Sequence, residues 1–296
     1  MGKPRPNYTQ LASDLLRGDW LLSGAAGFLP AVMGFLNRQV VELPDLAEEP
    51  RFYADGGEAV ANDTGAAVRT VKTVAVIPLH GAMTKYDTCT SYGTSYIGRR
   101  VVEAAGCEDV AAVVLDIDSG GGASNSVAPV VEAIRAVRAM GKPVLAHCDA
   151  ALSAAYWVAS QCDAVYMDNP LSRAGSIGAY ARVVDDRAQD PQTGWKIIEV
   201  YPPESSDKNR SYREAIDGDS SAMERELSVL VGAFRDAVTS ARPQVKADAQ
   251  GVMTGAEFLA GDAVANGLAD GVKTLQEVVE IAFALADIDD DINQTV

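Results

Sequence analysis

Histidine is scarce in this chain: of 296 residues only His80 and His147 carry an imidazole, so chemistry that needs a histidine base has two candidates. Positive charge is short as well. Lysine and arginine total 25 against 41 aspartates and glutamates, and a formal charge of -16 lacks the basic surface that phosphate neutralisation requires, which excludes nucleic acid as a partner. The cysteines, Cys89, Cys107, Cys148 and Cys162, form neither a CxxC pair nor a zinc-spaced His/Cys cluster. Four scattered thiols in a chain of this length fit a reducing cytosol better than a disulfide framework, and no structural metal is expected. Long apolar runs are missing too. The nearest, WLLSGAAGFLPAVMGFL (20–36), is broken by Pro30 and three glycines. A spanning helix needs about 20 apolar residues, and acidic Asp14 and Asp19 stand where a signal peptide would be basic. The run is expected to be buried or partner-facing, with membrane association not expected and a cytoplasmic location in a bacterial host.

What is present reads as a folded α/β chain, since 48% hydrophobic and 22% charged residues are ordinary for a globular protein. Residues 1–53 are read as an N-terminal helical extension and 54–70, ADGGEAVANDTGAAVRT, as a linker rich in Gly, Ala, Asp and Asn without an apolar period. The main domain is placed at 71–285 and an acidic, frayed tail at 286–296. Within the domain, strands are expected at TVAVIPL, VAAVVLDI, KPVLAHC, AVYM, GSIGAYARVV and WKIIEVY. Helices are expected at SYIGRRVVEAA, SVAPVVEAIRAVRAM, SAAYWVASQC and SSAMERELSVLVGAFRDAVTSAR, with a short helix and turn in TGAEFLAGDAVANGL. Continuous apolar strands alternating with helices imply a mostly parallel sheet covered by helices.

Three stretches carry candidate chemistry. In DAALSAAYWVAS, Ser153 stands where a buried strand hands over to a helix, followed by Ala154 and Ala155. It reads either as a helix N-cap or as a nucleophile at a positive helix terminus with room for a substrate backbone. In LDIDSGGGASNS the glycines either serve a tight turn or leave backbone N–H groups open to an oxyanion. Neither the GxGxxG fingerprint nor a GK[ST] ending is matched. Lys208, in PPESSDKNRSYREA, reads by itself as a solvated loop charge, although a buried lysine can act as a base. His80 and His147 flank apolar strand positions and read as packed or hydrogen-bonded rather than as triad members. Tyr156 and Trp157 read as core, and Asp116 and Asp118 as turn hydrogen-bonders.

Six pieces, AVIPLHG, VLDIDSGGG, SAAYWVAS, GSIGAY, DKNRSYREA and MTGAEFLAGDAVANGLAD, stand in the order found in the signal peptide peptidase A (SppA) family of serine peptidases. From about Thr73 to Val272 the chain resembles that family, in particular the short members of phage and prophage head-gene clusters. The resemblance implies a ClpP/crotonase-like fold and a Ser-Lys dyad that needs no histidine, metal or cofactor. It puts Ser153 at the nucleophile position, Lys208 at the general base, Gly120 and Gly121 in the oxyanion turn, and Ser176 at the serine that orients the lysine amine. Two departures stand out: glycine follows Ser119 where the family has proline, and the lysine segment lacks a Gly-Lys-Tyr-Lys pattern.

The function so implied is a serine endopeptidase processing scaffold or capsid proteins in phage head assembly, working in a homo-oligomeric ring that encloses the active sites; whether a neighbour completes the cleft is left open by the sequence. Its partners would be protein or peptide substrates. Three other readings share parts of this sequence: a membrane-associated peptidase degrading signal peptides, a catalytically idle ring or scaffold-binding protein, and a crotonase-like acyl-CoA enzyme.

Overall fold

Alternation along the central strands decides the architecture. The structure, a computed structural model, describes residues 20–22, 50–54, 72–88, 91–183, 185, 187 and 198–294. The chain first gives three strands, β1 (Trp20–Leu22), β2 (Arg51–Ala54) and β3 (Thr73–His80), followed by helix α1 (Thr94–Ala105). Strands β4 (Val110–Ser119) and β5 (Gly121–Ala123) lead into α2 (Val127–Ala139), and β6 (Val144–Leu152) runs into α3 (Ala154–Ser160). Then come β7 (Ala164–Met167), β8 (Arg173–Gly175), α4 (Arg210–Ile216) and α5 (Ser221–Ala241). The order closes with β9 (Glu257–Leu259), α6 (Ala260–Ala265), β10 (Gly271–Val272) and α7 (Leu275–Gln294).

The main sheet has the order β10-β7-β6-β4-β3-β2; all neighbouring pairs from β10 to β3 are parallel, and β2 closes the edge antiparallel. On β4, Val113, Leu115 and Ile117 join the core shared with α1, α2 and α3. Ala112 and Val114 point the other way, into a second core with Val278, Val279, Ala282 and Phe283 of α7. Burial on both faces is why these strands read as unbroken apolar runs. The mostly parallel sheet with covering helices expected from the sequence is therefore present.

Close approaches hold the helices in place. A Cβ at Gly98 would lie 2.6 Å from the Pro129 carbonyl oxygen, so α1 meets the start of α2 at a distance only glycine permits. Helix α7 starts with a reciprocal cap: Thr274 N–H donates to Glu277 at 2.9 Å, and Glu277 N–H reaches back to Thr274 Oγ1 at 3.4 Å. By contrast α5 buries only Phe234 and Val238 along its 21 residues. At roughly 2 kcal/mol for each buried side chain, its anchoring is concentrated in its C-terminal half. Phe234 stacks on Trp157 of α3 with ring centroids 4.7 Å apart.

Several local expectations change. GSIGAYARVV is not a strand beyond Gly175: its preceding residues form β8, and the chain then leaves the sheet with Ser176 at a φ of 56°. Of WKIIEVY, residues 198–201 are irregular, with Ile198 and Val200 exposed, and 195–197 lie outside the described residues. The segment expected as a frayed tail continues α7 as far as Gln294. Within the expected helical extension the described residues are strands, Trp20–Leu22 on β5 and Arg51–Ala54 on β3, because both find open strand edges to pair with. The rest of residues 1–49 and most of the 54–70 linker lie outside the described residues.

Candidate active site

Strand β6 divides along its length. Its first half pairs with β7, and its second half, Ala150–Leu152, pairs parallel with Arg173–Gly175 of β8. One residue further, Ser153 enters the left-handed region with φ 56° and ψ -122°, and α3 begins at Ala154. L-residues reach this region at a cost of about 1–3 kcal/mol and keep it only where the surroundings enforce it. Here the Ser153 N–H is held by the Gly175 carbonyl at 2.9 Å, and its own carbonyl accepts Trp157 N–H at 3.0 Å. The side chain is only 2% exposed, yet it makes no capping bond to the helix. Ser153 occupies the N-cap position of α3 through its backbone, but its hydroxyl caps nothing and has no hydrogen-bond partner among the described residues. Ala154 and Ala155, the first residues of α3, are fully buried. Tyr156 is core as expected, its hydroxyl donating to the Leu268 carbonyl at 2.9 Å, and burial pushes its phenol up.

The glycine turn lies beside this helix, since β5 packs against α3. Ser119 organises it: its hydroxyl donates to the Gly81 carbonyl at 2.6 Å and accepts Gly121 N–H at 3.1 Å. Gly121 has a φ of 95°, a conformation that favours glycine. Met83 brackets the strand, donating its N–H to the Gly121 carbonyl and accepting Ala123 N–H, both at 2.9 Å. A Cβ at Gly122 would fall 1.9 Å from the Met83 carbonyl oxygen, so that position admits no side chain. Neither Ser119 nor Met83 was singled out from the sequence. The only signal for Ser119 is its place directly before the glycines; Met83 acts through a contact 39 residues away, which no local pattern encodes.

The structure brings Ser153, Ser176 and the glycine turn into one region, and no hydrogen bond joins Lys208 to them among the described residues. Ser176, half-buried, also has a φ of 56°, and its N–H bonds the Ala256 carbonyl at 2.7 Å. Lys208 stands on the exposed turn before α4, with its N–H on the Ser205 carbonyl at 3.1 Å. Its ammonium makes no hydrogen bond or ion pair among the described residues. Helix α4 packs against α5 rather than on the sheet.

The histidines are engaged elsewhere. His147 is 6% exposed and lies between two carboxylates, Asp116 at 2.9 Å from Nδ1 and Asp168 at 3.0 Å from Nε2. Asp116 also binds Arg51 at 2.8 Å and has His80 at 3.7 Å. Asp116 is thus a ligand of a strand-to-strand charge cluster and not the turn hydrogen-bonder expected, because β4 continues to Ser119 and puts residue 116 within the sheet. Burial would raise its carboxyl, but the His147 hydrogen bond and the nearby His80 imidazole outweigh that and hold it well below the usual carboxylate range. Asp118 moves the other way, raised by burial and by the charge of Asp149. Cys148, fully buried on the same strand as His147, has its thiol pushed up by burial and is an inert core residue.

Fold and site together define a ClpP-like α/β protein with a strained serine held at a strand-to-helix turn beside a glycine-rich strand. The chain belongs to Peptidase family S49, whose profile matches residues 136–289. It is also 26% identical over 238 residues to Protease 4 of Salmonella typhi, an alignment covering 79% of this chain and 37% of that relative. The chain thus spans well under half the length of this curated relative.

Proposed function

We propose that the protein is a serine endopeptidase that hydrolyses peptide bonds through Ser153 and Lys208. The observation that carries the reading is the state of Ser153: strained, buried, adjacent to the glycine turn, and with a hydroxyl not used for capping. A strained serine with an unspent hydroxyl is costly to keep as a structural residue and useful as a nucleophile. Membership of a peptidase family and likeness to a protein named Protease 4 support the same activity.

In this reading a neutral Lys208 amine takes the Ser153 proton, and Oγ forms a bond to the substrate carbonyl carbon. Gly120 and Gly121 N–H groups hold the oxyanion. For Gly121 this requires Ser119 Oγ to release the bond it now makes. The lysine returns the proton to the leaving amine as the peptide bond breaks, and an activated water then frees the acyl group. Ser176 orients the amine. Because Lys208 lies on an exposed turn of its own chain, the dyad is proposed to form between neighbouring copies in a ring. Exposed Ile198 (76%) and Val200 (86%), just upstream of that turn, support a subunit contact there.

The proposed setting is the cytoplasm of a bacterial host, with scaffold or capsid proteins of phage head assembly as substrates, which rests on the likeness to short phage and prophage members. No described helix is long and apolar enough to cross a membrane. The test is casein cleavage and fluorophosphonate labelling by wild type, Ser153→Ala and Lys208→Ala, with folding checked by circular dichroism. Cleavage by wild type alone supports the dyad. Cleavage by a folded Ser153→Ala protein, or a folded wild type that neither cuts nor labels, overturns the reading.

A further inference from the structure

The edge of β5 that faces away from Met83 is occupied by the chain's own N-terminal strand. Trp20–Leu22 pairs antiparallel with Gly121–Ala123, Leu21 standing opposite Gly122. Gly121 and Ala123 spend a carbonyl and an N–H on Met83. Strand alternation turns the N–H and carbonyl of Gly122 to the opposite edge, where Leu21 offers the matching pair. This edge begins at the glycine turn and lies beside α3, the helix that Ser153 opens. Main-chain pairing of that kind is indifferent to side chains, so any extended peptide can make the same bonds.

We propose that Trp20–Leu22 is a tethered competitor for the extended chain that the proposed peptidase must lay along β5, so that substrate gains access only by displacing it. The inference rests on the peptidase reading given above. Two features suit β1 to this role. A three-residue strand in a two-stranded sheet is too small to be stable alone, so it can be displaced. Because it belongs to the same chain, it meets β5 without diffusing in from solution, so it competes continuously. The consequence is a resting enzyme whose apparent affinity for substrate is lowered while its chemistry is intact.

The test uses the full chain and two variants at one position. Leu21→Pro removes the N–H that faces Gly122 and prevents regular pairing; Leu21→Ala keeps it. With a fluorogenic peptide, Leu21→Pro is expected to lower KM by about tenfold with kcat little changed, whereas Leu21→Ala stays within about twofold of wild type. Hydrogen exchange at the Gly122 amide should be slow in wild type and in Leu21→Ala, and fast in Leu21→Pro. An unchanged or raised KM in a folded, phosphonate-labelled Leu21→Pro protein overturns the inference while the peptidase reading stands. Fast exchange of Gly122 in wild type overturns it too, since the strand is then not seated. If neither wild type nor Leu21→Pro labels or cuts, the peptidase reading fails and the competitor role falls with it.

Discussion

Ser153 and Ser176 end two parallel neighbours, β6 and β8, and both turn into the left-handed region at a φ of 56°. The last paired residues of the strands are Leu152 and Gly175, and the Gly175 carbonyl holds the Ser153 N–H at 2.9 Å. The two serines are therefore fixed by one ladder: the sheet sets their separation, and each turns sharply out of it. Such shared support is what keeps a strained position from relaxing.

That strain is measurable. Ser153→Gly should be more stable than Ser153→Ala by about 1 kcal/mol, because glycine adopts the left-handed conformation without the Cβ penalty. Both variants should be inactive, and urea unfolding of the two compares them. A glycine variant less stable than the alanine variant would show that the serine is not strained.

Division of the dyad between copies makes a separate demand. Ser153→Ala and Lys208→Ala, each inactive alone, should regain part of the wild-type rate when unfolded and refolded together, because mixed contacts pair an intact serine with an intact lysine. Mixtures that stay as inactive as their components would confine both groups to one chain.

The glycine strand tolerates no side chain at its centre. In Gly122→Ala the new methyl would meet the Met83 carbonyl, which a Cβ would approach to 1.9 Å, so β5 must shift. A loss of roughly 2 kcal/mol in stability, typical of forcing a group into a packed site, is expected together with loss of cleavage. Thermal unfolding and the peptide assay report the two effects separately.

Acid should act through Asp116. Its folded-state carboxyl is held below the ordinary carboxylate value, burial notwithstanding, by the His147 hydrogen bond and the nearby His80 imidazole. A depressed carboxyl stabilises the fold fully above its unfolded pKa of about 4, and that contribution is lost as pH falls through the lower folded value. Asp116→Asn should therefore cost about 2 kcal/mol at pH 7, as for a hydrogen bond to a carboxylate, with the difference from wild type shrinking once pH falls below about 4. Urea titrations at the two pH values check this.

A buried arginine paired with an exposed aspartate anchors the end of α5. Arg242, 2% exposed, grips both oxygens of Asp270 at 2.9 and 3.1 Å and donates to the Gly267 carbonyl at 3.2 Å. Arg242→Ala removes the bonds to Asp270 and to the Gly267 carbonyl and should destabilise the fold by roughly 2 kcal/mol. Arg242→Lys should recover only part of that, because an ammonium cannot make the paired bonds. Chemical denaturation of the three proteins measures both steps.

The sequence by itself determined the sheet and its cover. Runs such as VAAVVL (110–115) and VLA (144–146) are continuously apolar because both faces of β4 and β6 are buried there, and this pattern is local. It also marked Ser153, through the small residues after it, and the glycine turn. Tertiary structure alone decided whether that serine was a cap: the answer lies in its φ and in the Gly175 carbonyl, contributed by a strand 22 residues further on. The role of Met83, the clamp of Asp116 and Asp168 on His147, and the pairing of Trp20–Leu22 with β5 were hidden for the same reason. Each depends on hydrogen bonds between residues distant in sequence, and side-chain periodicity records which face is buried, not which distant backbone meets it.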